Sequence, residues 1–261
     1  MKDRYEKIAI EAALKSGLFI KSSLGKTGKI SYKAKDNIVT DVDKKAEEII
    51  IRRIRAAFPD HSILSEERHP ISRVSPYKWI IDPIDGTTNF AHAFPFFCVS
   101  IALEEYDKII LGAVYDPIHD EFFYAEAGKG ARLNNKKIFV SKTRRLFESV
   151  LATGFSYGKK RKDRNVRNFR NFLSRTLAIR RAGSAALDLC YVACGRFDGF
   201  WEMYLNPWDS AAAVLIVKEA KGLVTKFDGS SYSHYDKEVL ATNGLIHKQM
   251  VSVLSQKNHK S

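Results

Sequence analysis

The run Trp79-Ile80-Ile81-Asp82-Pro83-Ile84-Asp85-Gly86-Thr87-Thr88-Asn89-Phe90 drives three apolar residues straight into two carboxylates, then meets glycine. A residue before proline is pushed into extended geometry, so Asp82 is expected at the very end of a strand. Pro83 then fixes a turn that brings Asp85 back toward the same place. Gly86 lets backbone approach a ligand closely. The N–H groups of Thr87 and Thr88 would be free at a turn or helix start, a natural cradle for phosphate.

Other carboxylates can join. Glu66 and Glu67 follow the short strand Ser62-Ile63-Leu64, and Asp43 stands at the start of a helix, where it could serve as the N-cap. Asp209 opens another helix in Pro207-Trp208-Asp209-Ser210-Ala211-Ala212. Carboxylates gathered this closely repel one another and take up protons unless cations neutralise them. An oxygen-only ligand set without His or Cys favours Mg²⁺ or Mn²⁺ over zinc. An anion cradle beside hard cations is an arrangement for phosphoryl transfer.

The elements that must position these groups follow from periodicity. Tyr5, Ile8, Ala9, Ala12 and Ala13 predict an amphipathic helix over 3–16. A second helix starts near Asp43, with Ala46, Ile49, Ile50, Ile54 and Ala57 on its apolar face, and Pro59 ends it. Phe97–Glu104, Ile109–Tyr115, Glu121–Ala125 and Gly130–Val140 are spaced by turn residues as an antiparallel meander. The second half alternates: strand Ser149–Thr153, then a basic helix near 164–178 with Val166, Phe169, Phe172, Leu173 and Leu177 inward. Helix Ala185–Cys194, strand Phe197–Met203, helix Trp208–Ala220, strands Leu223–Phe227 and Val239–Thr242 and a last helix complete it. Such alternation predicts an α/β (α+β) layered sandwich of helices and mixed β-sheets.

Bulk composition agrees with a globular protein. The 261 residues are 45% hydrophobic and 28% charged, and the chain is long enough for one large domain or two small ones packed together. No apolar run reaches the length of a membrane span, and Glu6, Lys7, Glu11 and Lys15 break up any signal-peptide core. Cys98, Cys190 and Cys194 form no CxxC pair and read as reduced core residues of a cytoplasmic protein. The net charge of +13 admits an anionic substrate or a polyanionic partner.

With these pieces in place, the chain resembles the inositol monophosphatase family of magnesium-dependent, lithium-sensitive phosphatases. Asp82–Phe90 resembles the family's first signature and Trp208–Ala212 its second. Val39–Asp43, Ser65-Glu66-Glu67, Gly183-Ser184-Ala185 and Trp201-Glu202-Met203 fall in the family's order. The chain departs from the pattern at Ala213, where glycine is common, and at Ala220-Lys221-Gly222, where Ala-Gly-Gly is usual. The resemblance implies the sugar-phosphatase type of sandwich: one unit over 1–261, its halves near 1–145 and 146–261, with the active site between them.

It also implies roles. Glu66, Asp82 and the Ile84 carbonyl would hold a first magnesium, and Asp82, Asp85 and Asp209 a second. Two or three Mg²⁺ per site are expected, with Mn²⁺ as a substitute. Thr87, aided by Glu66 or Asp43, would orient and deprotonate the attacking water. Gly86 and Thr87 amides would hold phosphate together with Asp85 and Asp209, while Gly183, Ser184, Ala185 and Glu202 would face the alcohol. The expected substrate is a small phosphorylated polyol, first myo-inositol 1-phosphate, then fructose 1,6-bisphosphate, NADP or another sugar phosphate. A homodimer is expected and a membrane partner is not.

Competing readings fail on their own requirements. An EF-hand loop needs oxygen donors where Ile84 and Ala93 stand. Aspartyl-nucleophile phosphatases share the Asp41-Val42-Asp43 spacing, but here it runs into Lys44 and Lys45 at a helix start. Gly154-Phe155-Ser156-Tyr157-Gly158 fits a nucleophile elbow, yet Lys and Arg follow the serine and no oxyanion motif lies upstream. The stretch 159–170, KKRKDRNVRNFR, is the alternative of another class, a nucleic-acid or acidic-partner surface. The solvated face of an amphipathic helix is the favoured reading of it. For Glu202 alone, a surface charge on a strand is the bland alternative.

Overall fold

The computed structural model describes residues 2–25, 30–34, 37–155 and 159–256. Ser156, Tyr157 and Gly158 of the elbow-like run, and the side chains of 159–163, lie outside the described residues.

Helices α1 (Lys2–Ser22) and α2 (Asp41–Ala57) flank the hairpin of β1 (Ile30–Ala34) and β2 (Asn37–Thr40). A seven-stranded sheet follows: β3 (Ser62–Ser65), β4 (Tyr77–Asp85), β5 (Cys98–Glu105), β6 (Lys108–Asp116), β7 (Glu121–Glu126), β8 (Gly130–Leu133) and β9 (Lys136–Lys137), in that spatial order. The short α3 (Thr87–Ala91) is inserted after β4. The second sheet has β10 (Val150–Thr153), β11 (Ala178–Arg180), β12 (Gly199–Met203), β13 (Leu223–Thr225) and β14 (Glu238–Thr242), ordered β11-β10-β12-β14-β13. Helices α4 (Lys159–Leu173), α5 (Ala185–Ala193), α6 (Pro207–Glu219) and α7 (His247–Leu254) complete the described elements.

Strand alternation assigns the layers. In β4, Trp79 and Ile81 pack with α1 and α2, whereas Ile80 joins the apolar layer of α5 and α6. In β12, Phe200 faces that same middle layer and Trp201 faces α4 and α7. Helix pair, sheet, helix pair, sheet and helix pair therefore stack as the layered sandwich that alternation predicts. The middle helices α5 and α6 are buried on nearly all sides, as their Ala-rich apolar sequences allow.

Several boundaries differ from expectation. Helix α1 runs past residue 16, because Gly17 is no stop: a Cβ there would sit 2.4 Å from Tyr115 Cδ1, so glycine permits close helix–sheet packing. The fourth meander strand splits at Asn134 and Asn135, both left-handed at φ 45° and 64°. Asn tolerates that conformation and makes a tight turn. Helix α4 ends at Leu173; Phe172 is buried as expected, but Val166, Leu173 and Leu177 are exposed and Asn165 and Asn168 are buried instead. Asn165 explains the rotated face, donating to Gly154 O at 2.5 Å and accepting from Trp201 Nε1 at 2.7 Å. The unpredicted strand β11 follows at 178–180.

Both family departures are visible. Ala213 is wholly buried in α6. Lys221 adopts φ 73°, a conformation glycine takes without cost and other residues pay about 1 kcal/mol or more to adopt.

Candidate active site

The opening motif is a strand interrupted by a bulge. Asp82 pairs with Ser100 and Asp85 with Cys98, so Pro83 and Ile84 together oppose Val99. The strand thus continues to Asp85, and Asp82 is not its last residue as expected. The reason is functional geometry: in a regular strand, residues three apart point to opposite faces. The bulge turns both carboxylates toward the α5–α6 side. There Asp85 Oδ2 accepts from the Ala186 N–H at 2.7 Å and from Ser184 Oγ at 2.6 Å. Asp82 Oδ1 accepts from the Ile84 N–H at 3.0 Å, which stabilises the bulge itself.

Gly86 follows at φ 101°, and a Cβ there would fall 3.0 Å from Phe96 O and 3.3 Å from Gly183 O. Conformation and packing both require glycine. Its carbonyl starts α3, accepting from Phe90 N–H. Thr87 Oγ1 lies 2.9 Å from Asp43 Oδ1 and 3.0 Å from Ile84 O, with one hydroxyl proton to give.

Asp43 is not the N-cap of α2. Thr40 is, accepting from the N–H groups of Val42 and Asp43, while Asp43 Oδ2 receives the Thr40 N–H at 2.8 Å in a reciprocal capping box. Burial of Asp43 and its fixed rotamer leave Oδ1 aimed at Thr87. Asp209 is built the same way. It is the third residue of α6, its Oδ2 accepting the Asn206 N–H at 2.6 Å, and Ser100 Oγ reaches Trp208 O at 3.4 Å to dock this helix start on β5.

Glu66, Asp82, Asp85 and Asp209 form one electrostatic cluster. Burial pushes Asp82 and Asp209 well above the usual carboxylate range, and Glu66 and Asp85 push both in the same direction. Asp85 rises to about 6 through burial, opposed by its bonds from Ser184 and Ala186. Among the described residues, no group of three or more His, Cys, Asp or Glu side chains closes into a ready-made cation cage. One oxygen each of Asp82, Asp85 and Asp209 is committed to its own scaffold. The donor chemistry nonetheless fits a hard cation: the cluster is all oxygen, with Asp82 buried and Glu66, Asp85 and Asp209 partly so, and it is self-repelling without positive charge.

On the opposite wall, Glu202 of β12 is 8% exposed, which excludes the surface-charge reading. Burial raises its carboxyl to about 8, with Arg181 opposing and Asp85 adding. Gly154 makes room for it, since a Cβ there would lie 2.2 Å from Glu202 Oε1. Gly183, at φ 98°, packs beside Asn89 and Arg181; Ser184 caps α5 by accepting the Leu187 N–H at 3.3 Å, and Ala185 is the first residue of that helix.

Three residues of this region carry no predicted role. Asn89 Nδ2 donates to Phe96 O at 2.7 Å and Ala182 O at 2.8 Å, tying the α3 segment to the Gly183 loop. Asp188 is buried in α5 with Oδ1 unpartnered, its carboxyl pushed well up by burial and by Glu202 and Asp85. Glu47 is a buried acid on α2. A carboxylate inside an apolar helix face was the available signal for the last two.

The sequence pattern of the inositol monophosphatase family matches residues 1–259. This chain belongs to the inositol monophosphatase family. Its members are metal-dependent phosphatases. It is 45% identical over 251 residues to inositol-1-monophosphatase of Synechocystis sp., covering 95% of this chain and 88% of that protein. It is 41% identical over 256 residues to the Nus factor SuhB of Pseudomonas aeruginosa, covering 95% and 94%. The fold superimposes on the extragenic suppressor protein suhB of Bartonella henselae with TM-score 0.94 and 40% identity, covering 98% of this chain and all of that one. Among the described residues, no helix is long and apolar enough to cross a membrane.

Proposed function

We propose that the protein is a Mg²⁺-dependent phosphate monoesterase whose substrate is myo-inositol 1-phosphate, converted with water to myo-inositol and phosphate. The observation that carries this reading is the Asp43–Thr87 hydrogen bond standing beside the four-carboxylate cluster. The Synechocystis relative's name supports the substrate.

Glu66, Asp82, the Ile84 carbonyl, Asp85 and Asp209 would hold the magnesium. Bound there, it supplies Lewis-acid polarisation of phosphate and acidifies a water. The protein's own groups handle the proton. Thr87 Oγ1 accepts a proton from the attacking water while its hydroxyl proton passes to Asp43 Oδ1. The water oxygen bonds to phosphorus in line with the departing ester oxygen, the P–O ester bond breaks, the alkoxide takes a proton from a second water, and Asp43 returns its proton to solvent. Backbone N–H groups at Gly86 and Thr87 hold phosphate oxygens. Glu202, with Gly183, Ser184 and Ala185, lines the alcohol side, and Ser184 also braces Asp85.

The halves near 1–145 and 146–261 act as one unit, since Asn89 and Asp85 of the first bond to Ala182, Ser184 and Ala186 of the second. A homodimer in the cytoplasm completes the proposal. Phosphate release from myo-inositol 1-phosphate, fructose 1,6-bisphosphate and NADP, each with Mg²⁺ and with chelator, tests it. Preference for inositol phosphate with Mg²⁺ supports the reading; turnover of the bisphosphate alone would move it to the related sugar phosphatase.

A further inference from the structure

Helix α2 carries two buried carboxylates on one face, Asp43 and Glu47, four residues apart. Asp43 serves Thr87. Glu47 takes no part in the chemistry described above, yet its carboxylate is fully engaged. Oε1 accepts from Ser65 Oγ and from the Glu67 N–H at 3.0 Å, and Oε2 accepts from Arg68 Nε at 2.6 Å. These donors come from residues 65, 67 and 68, the neighbours of Glu66 on both sides.

A further tie is on the backbone of Glu66 itself, whose N–H donates to Ile81 O at 3.3 Å, next to Asp82. Past the end of β3, a segment with no strand partner would sample many conformations, at about 1–2 kcal/mol of entropy per residue to fix. A buried carboxylate receiving a hydroxyl, an amide and a guanidinium removes that freedom, and charge-assisted bonds are the strong ones. Burying such a charge merely to stabilise the fold is a poor bargain, because apolar replacements often do as well.

We propose that Glu47 is a positioning residue for Glu66: it clamps the 65–68 segment so that the Glu66 carboxylate is presented to the cation beside Asp82. One helix then sets both ends of the site, the proton acceptor of Thr87 through Asp43 and the metal-facing loop through Glu47. This inference rests on the proposed role of Glu66 as a metal ligand.

Mn²⁺ binding to the full chain without substrate, followed by the electron paramagnetic resonance of free Mn²⁺, tests it alongside thermal melting. Glu47→Gln keeps an acceptor for Ser65 and Glu67 but loses the charge that holds Arg68. It should weaken Mn²⁺ binding about tenfold or more, the scale expected when a group that orients a ligand is lost. Arg68→Gln, at an exposed partner where a substitution is expected to disturb the fold little, should weaken it several-fold and keeps the test open if Glu47→Gln melts. Ile54→Val, a core change on the same helix, should lower the melting temperature and leave Mn²⁺ affinity intact. Wild-type affinity in both Glu47→Gln and Arg68→Gln, with binding weakened by Glu66→Gln, would overturn the clamp. Unchanged affinity in Glu66→Gln would instead overturn the ligand role beneath it.

Discussion

Thr87 Oγ1 stands 2.9 Å from Asp43 Oδ1, joining residues 44 positions apart across the start of two helices. The hydroxyl has a second acceptor, Ile84 O, at 3.0 Å, and a single proton cannot serve both fully. Under the proposed function, an Ile84 carbonyl that holds the cation would leave the proton to Asp43 and the Thr87 lone pairs to accept from water, a switchable proton path.

Thr87→Ala removes that path. It should lower kcat by roughly a hundredfold or more, the usual scale for a lost general base, with Mn²⁺ affinity kept. Steady-state kinetics beside metal titration decides the matter. A raised KM at unchanged kcat would make Thr87 a phosphate contact only.

The carboxylate cluster predicts a pH dependence of the metal-free protein. Folded Asp85 titrates at about 6, above its ordinary value, and Asp82 and Asp209 lie higher than usual too. The folded state then binds more protons than the unfolded one, so these groups cost stability as pH rises through that window. The rise in melting temperature on adding Mg²⁺ should be larger near pH 8 than near pH 5, since cation binding needs the ionised forms. Metal-free Asp82→Asn should melt at or above wild type at the higher pH. A metal-induced shift that is equal at both pH values would contradict the account.

These groups were legible because Asp82, Asp85 and Asp209 sit where a strand or helix is interrupted by Pro or Gly, so local rules apply. The roles of Glu47 and Asp188 were not legible, because Glu47 lies on the buried face of an amphipathic helix and Asp188 inside an apolar one, and each acquires meaning only from a loop or strand distant in sequence. The bulge at Pro83-Ile84 was likewise hidden: proline announces a break, but only pairing with β5 shows that the strand resumes and reverses face. The layered architecture came through since its periodicities are long. The face of α4 did not, because the buried polar Asn165 takes the interior in place of Val166 and Leu173 through its hydrogen bonds to Trp201 of β12 and to Gly154.

The basic stretch 159–170 yields a third prediction. Arg164 is paired with Glu238, and Arg167 and Arg170 are exposed, as on a solvated helix face. Replacing Lys159, Lys160, Arg161 and Lys162 together by Gln should leave turnover of a small monoester nearly unchanged and shift stability by no more than about half a kcal/mol for each site. Filter binding to RNA at two salt concentrations is the check. Tight, salt-sensitive wild-type binding that disappears in the quadruple variant would assign this face to a polyanionic partner instead.

The central claim, that Asp82 and its neighbours hold the magnesium that makes this chain a phosphatase, is tested most directly by one titration. Phosphate release from myo-inositol 1-phosphate is measured against Mg²⁺ concentration for wild type and Asp82→Asn. The account predicts saturable, Mg²⁺-dependent release by wild type, abolished by chelator, and none from a folded Asp82→Asn at any Mg²⁺ concentration. Release by either protein in excess chelator, or a wild-type Mg²⁺ profile from Asp82→Asn, would contradict it.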